Sequence, residues 1–128
     1  MKLIEYQDAS PEVRAIYDDI MAKRNVPTVN NFWKALARDP HTLKRTWDSV
    51  QQIMAPGALD PLVKELIYIA VSATNGCEYC IASHTAAARS KGMSEEIFGE
   101  LMAVVGMANE TNRLVAGYRV PIDEQFQY

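Results

Sequence analysis

Three times in its first 61 residues the chain sets a capping side chain directly before proline: Ser10-Pro11, Asp39-Pro40 and Asp60-Pro61. Proline holds φ near the helical value and gives up no hydrogen bond in a first turn. Serine or aspartate just before it accepts from the open N–H groups, so each pair reads as a helix start. Apolar residues then recur at helical spacing. Val13, Ile16, Tyr17, Ile20 and Met21 follow the first start, and Leu43, Trp47, Val50 and Met54 follow the second. After the third, apolar residues surround nearly the whole segment from Leu62 to Ala73, which predicts a central, buried helix. Asn25-Val26-Pro27, Pro56-Gly57 and Asn75-Gly76 close the three segments, the last with a glycine suited to a left-handed cap. A short helix from Phe32 to Ala37 fits between the first two.

The second half continues in the same manner. A helix is expected from about Cys77 to Lys91, ending at Gly92, and Ala82, Ala86, Ala87 and Ala88 let a neighbour approach it closely. Ser94 caps the next helix, with Glu95 and Glu96 at its positive end and Ile97, Leu101, Val104, Val105 and Ala108 as its core stripe. A separate helical piece around Thr111 to Gly117 and an irregular tail complete the chain. No alternating strand pattern, linker, low-complexity tract or internal repeat is visible. The expectation is an all-α fold of about six to seven helices in a single domain over residues 1–128.

Charge excludes some function classes. Thirteen basic residues against 16 acidic ones leave a net charge of −3, which gives no electrostatic attraction to nucleic acid or an anionic membrane. The first residues, Met-Lys-Leu-Ile-Glu-Tyr-Gln-Asp, do not read as a secretory signal. The longest apolar stretch carries Lys64 and Glu65 and is too short to span a bilayer. A cytoplasmic location is expected, where two cysteines at close spacing are redox-active or metal-binding more often than a structural staple.

Those two cysteines are the only ones in the chain, in Cys77-Glu78-Tyr79-Cys80, and His84 follows within the same eight positions. On a helix, residues 77, 80 and 84 lie along one face. Cys77 falls at the helix start, where open N–H groups and the helix dipole favour a thiolate. The short turn at Asn75-Gly76 implies that the preceding helix packs antiparallel as a hairpin. Glu65 lies about ten residues before that turn and His84 about eight after it, a height difference of roughly 3 Å at 1.5 Å per residue. A carboxylate among apolar neighbours requires a partner, and His84 is the candidate. The carboxylate would orient the imidazole, and the imidazole would take or return a proton of Cys80.

Glu65, eleven intervening residues, Cys77-x-x-Cys80, and His84 after three more resemble the signature of the AhpD-like alkylhydroperoxidases of the carboxymuconolactone decarboxylase superfamily. The similarity is strongest from Asp60 to about Leu101, including Lys64-Glu65-Leu66, Asn75-Gly76-Cys77 and Ser83-His84-Thr85. It implies an AhpD-like helical bundle around a central antiparallel hairpin, homo-oligomers that are often trimers or hexamers, and a thiol-dependent peroxidase or disulfide-reductase cycle. Cys80 would be the peroxidatic cysteine that becomes a sulfenic acid, and Cys77 the resolving partner and proton donor. His84 and Glu65 would form the proton relay. The substrate would be a hydroperoxide or a disulfide. The cycle needs no cofactor beyond a redox-active Cys77–Cys80 disulfide, which a lipoylated or thioredoxin-like dithiol would reduce. Tyr79 stands where some members carry a histidine, and a phenol relays protons less readily near neutral pH; it could line the thiol pocket or simply pack.

Other readings compete. Two cysteines, His84 and Glu65 could form a tetrahedral metal site, and the chain could be a metal-binding or redox-sensing oligomer without turnover. A decarboxylase- or lactone-type activity belongs to another branch of the superfamily, one that does not depend on a cysteine pair. His41, in a first turn, reads as exposed; Trp33, Trp47 and Phe32 read as core or interface residues, and the methionines as gap-fillers.

Overall fold

The computed structural model describes residues 1–127, and among them every regular element is a helix. The chain forms two compact units, Met1–Ala55 and the part from Pro56 onward.

The first unit contains α1 (Pro11–Arg24), α2 (Asn31–Leu36) and α3 (Pro40–Met54), of which α1 and α3 start as their caps dictate. The Ser10 hydroxyl accepts from the Val13 N–H, and the Asp39 carboxylate accepts from that of His41. Asn25 ends α1 in the left-handed region at φ 53°, which asparagine tolerates better than most residues. Val13, Tyr17, Ile20, Leu43 and the indoles of Trp33 and Trp47 are buried together. The two indoles meet edge to face at 5.4 Å, the geometry their quadrupoles prefer. The Trp47 Nε1–H, which burial would otherwise orphan, donates to Asp19 at 2.7 Å. His41 and Phe32 are exposed.

The second unit is built from α4 (Pro61–Asn75), α5 (Glu78–Ser90) and α6 (Glu95–Tyr118). Asp60 accepts from the Leu62 N–H and Ser94 from that of Ile97, which fixes two of the three starts. Gly76, at φ 70°, turns the chain from α4 into α5, a conformation glycine enters without steric cost. Ala88 is fully buried, so α5 lies close against α4. Ile69 and Met93 fill the space beside it, with Leu62, Leu66, Phe98 and Leu101 around them.

Two expectations change. The segment near Thr111 is not a separate piece, because α6 runs unbroken for 24 residues. No proline or positive-φ glycine interrupts it, and the polar side chain of Asn109 bonds the Val105 carbonyl and the Thr74 hydroxyl of α4. Nor is α4 buried on all sides. Glu65, Ile69 and Ser72 are buried, whereas Val63, Ile67 and Val71 are 40%, 49% and 54% exposed. Within this unit α5 and α6 pack on α4, and the stripe at positions 63, 67 and 71 is left open. Among the described residues no helix is long and apolar enough to cross a membrane.

Candidate active site

The turn between α4 and α5 places the cysteines. The left-handed Gly76 lets the Cys77 N–H fold back onto the Ser72 carbonyl at 2.9 Å. Cys77 thereby becomes the N-cap of α5, and its Sγ accepts from the Cys80 N–H at 3.3 Å. An anionic sulfur at that position would meet open N–H groups and the positive end of the helix. Cys77 and Cys80 are joined as a disulfide, with Cα atoms 5.3 Å apart. Both are half-buried.

One turn beyond Cys80, the imidazole of His84 faces α4. Its Nδ1 lies 2.7 Å from Glu65 Oε2. Glu65 is only 5% exposed. Burial alone pushes its carboxyl up, but hydrogen bonds from His84 and Lys91, together with their charges, outweigh that and hold it below the ordinary glutamate value. An ionised carboxylate has no proton to give, so the ring must donate from Nδ1. In the neutral imidazole that leaves Nε2 as the acceptor, on a residue four positions after Cys80. Tyr68 covers the imidazole, the two rings stacked 3.5 Å apart at 18°. The Lys91 ammonium holds the other carboxylate oxygen, Oε1, at 3.1 Å.

The structure brings Glu65 and His84 into contact and joins Cys77 to Cys80. Tyr79 is 46% exposed on α5. Two contacts of the site lie outside the sequence reading. Tyr68 stands three residues after Glu65 on α4, the spacing that puts two side chains on one face. Lys91 stands seven after His84, two turns along the stripe that also carries residues 77 and 80. Spacing puts both on the face of the site, but it does not show that the Lys91 stem turns to Glu65.

The chain is similar to known proteins in sequence and in fold. The model of the carboxymuconolactone decarboxylase family matches residues 40–123. An alkyl hydroperoxide reductase AhpD from Solibacter usitatus (strain Ellin6076) is 39% identical over 72 residues, 56% of this chain and 39% of the relative. Another from Anaeromyxobacter sp. (strain K) is 30% identical over 118 residues, 87% of this chain and 63% of the relative. The chain thus spans less than two thirds of the length of either. A crystal structure of an alkylhydroperoxidase AhpD core from Rhodospirillum rubrum ATCC 11170 superposes with a TM-score of 0.87 at 53% identity, covering 91% of this chain and 86% of that one.

Proposed function

We propose, from the premise that the chain belongs to the carboxymuconolactone decarboxylase family, that it is a thiol-dependent oxidoreductase of the alkylhydroperoxidase type. The observation that carries this reading is the disulfide at the start of α5, one turn from a histidine whose Nδ1 is held by a buried carboxylate. In the reduced protein the Cys80 thiolate attacks the distal oxygen of a hydroperoxide. The O–O bond breaks, the alkoxide leaves as an alcohol after taking a proton, and Cys80 becomes a sulfenic acid. The Cys77 sulfur then attacks the Cys80 sulfur, the S–S bond closes and water departs. The two electrons given to the peroxide come from the thiol pair. His84 Nε2 takes the proton of Cys80 and returns it to the leaving oxygen, and Glu65 keeps the ring in the tautomer that can do so. An external dithiol, lipoylated or thioredoxin-like, restores the pair by exchange. Tyr79 lines the approach to the thiols.

The same reading includes self-association. Besides the stripe on α4, Val104, Met107 and Leu114 of α6 are at least half exposed. Exposed apolar side chains grouped along helices in this way point to an interface, and a second copy of the chain in a trimer or hexamer is the proposed cover.

Thiol titration before and after one equivalent of an organic hydroperoxide tests the chemistry. Two thiols per chain should disappear, with formation of the Cys77–Cys80 disulfide, and Cys80→Ser should abolish peroxide consumption. Peroxide consumption by Cys80→Ser at the parental rate would overturn the role of Cys80. Stoichiometric zinc that shields both reduced thiols from alkylation would favour the metal-binding reading instead.

A further inference from the structure

We infer that Lys91 is a positioning residue of this site, holding Glu65 Oε1 so that Oε2 stays turned to His84 Nδ1 as a carboxylate. The inference rests on the thiol-oxidoreductase reading for its consequence, though not for its geometry.

Glu65 is 5% exposed and charged. It is a buried carboxylate, and a buried charge persists only where its oxygens are paired. His84 satisfies Oε2 and Lys91 satisfies Oε1. Both donors come from the far arm of the hairpin, His84 from within α5 and Lys91 from its C-cap. The carboxylate therefore ties α5 to α4 at two points two helical turns apart. With one oxygen held, rotation about the terminal carboxylate torsion, which is otherwise broad, would cost the Lys91 contact. The plane of the carboxylate, and with it the orientation of the imidazole, is fixed from both sides.

The Lys91 ammonium also opposes the effect of burial. The groups whose charges move the Glu65 carboxyl are Lys91 and His84, both on the α5 arm; no charged group of α4 or α6 joins them. His84 must change its own protonation if it shuttles a proton, and through that exchange the Lys91 ammonium stays beside Glu65. Removing it leaves burial acting against a single donor. The carboxyl then protonates at a higher pH, and a neutral Glu65, a weaker acceptor that can itself donate, no longer enforces the Nδ1–H tautomer. Arg89, two residues earlier, provides the contrast. Its ion pair with Glu95 is exposed on both partners and reaches no part of the site.

The decisive measurement is the titration of the Glu65 carboxyl carbon, followed by ¹³C NMR in the oxidised full chain. It compares the parent, Lys91→Met, Lys91→Arg and Arg89→Met. The midpoint should rise in Lys91→Met, stay near the parental value in Lys91→Arg, and stay unchanged in Arg89→Met. An unchanged midpoint in Lys91→Met would overturn the inference, as would an equal rise in Arg89→Met. The second measurement is the rate of hydroperoxide-driven thiol loss against pH in the reduced proteins. In Lys91→Met the acid limb should move to higher pH with a severalfold loss of rate on that side, and Lys91→Arg should recover it. A uniform loss at every pH would mark Lys91 as merely structural and overturn the positioning role. Failure of the parent itself to lose thiols would sink the peroxidase reading, while the carboxyl titration would still decide the Lys91 contact.

Discussion

Glu65→Gln separates charge from shape at the centre of the hairpin. The amide is nearly isosteric and its oxygen can still accept from His84 Nδ1, so what disappears is the charge. A hydrogen bond to a charged group contributes about 1.5–3 kcal/mol, against about 1 kcal/mol for a neutral one. The change at His84 is therefore about 0.5–2 kcal/mol. The Lys91 side chain is 38% exposed and recovers hydration when its partner is neutralised, so its share is that of a surface pair, about 0–1 kcal/mol. The variant should thus be less stable by about 0.5–3 kcal/mol at neutral pH. The pH dependence follows from the direction of the shift. The folded-state carboxyl lies below its ordinary value of 4.5, so its contribution is fully present above that value and is lost as the pH falls through the lower, folded one. Once protonated, Glu65 and its glutamine replacement are close to equivalent. Urea unfolding followed by circular dichroism at about pH 7, 5 and 3 should show the gap between the two proteins constant from 7 to 5 and closing toward 3. A gap as large at the lowest pH as at neutrality would refute the reasoning, because the loss would then be one of packing rather than charge. No gap at neutral pH would refute it as well.

Other perturbations test neighbouring parts of the same unit. Gly76→Ala should cost about 1–2 kcal/mol through the left-handed backbone alone, since beyond the adjoining residues nothing lies within 4 Å of the added Cβ; thermal unfolding measures it, and a much larger loss would mean the turn is packed in some other way. Ile69→Ala removes a fully buried side chain and should cost about 2–5 kcal/mol in denaturant unfolding, where a loss under 1 kcal/mol would show that the site collapses freely. Tyr68→Ala removes the ring stacked on His84 and should weaken the imidazole's placement by about 0.5–1.5 kcal/mol, read as slower thiol loss to hydroperoxide, with Tyr68→Phe retaining most of the rate; equal losses in both variants would assign the effect to the phenol hydroxyl.

What the sequence disclosed follows the range of the interactions involved. Ser10, Asp39, Asp60 and Ser94 all cap helices as their positions predict, because a cap is settled within four residues. The contact between Glu65 and His84 was also legible, because a two-residue link and regular helices leave the register of a hairpin little freedom. Lys91 was not. Its Cα lies past the last residue of α5, and whether its flexible stem turns to a carboxylate on the other arm or out to solvent depends on the burial of that carboxylate, which no spacing reveals. The length of α6 depended in the same way on where the Asn109 amide finds its acceptors.

The exposed side of α4 has a different cause. Val63, Ile67 and Val71 follow a strict period of four, which on a helix makes a single stripe. Hydrophobicity reports that a stripe is to be kept from water; it does not report whether this chain or another covers it. The same helix carries Glu65, Ile69 and Ser72 on its covered side, so each arm of the site has its own constraint. One face of α4 is held in place by α5 through Glu65, and the opposite face is free to be held by a second copy. Association through that stripe would press on the helix that carries Glu65 and Tyr68 without touching either cysteine. Replacing Ile67 by Lys should therefore shift the oligomeric state in light scattering while leaving the Cys77–Cys80 pair able to form. A chain that stays in its parental assembly after that change would show that the stripe is not the interface.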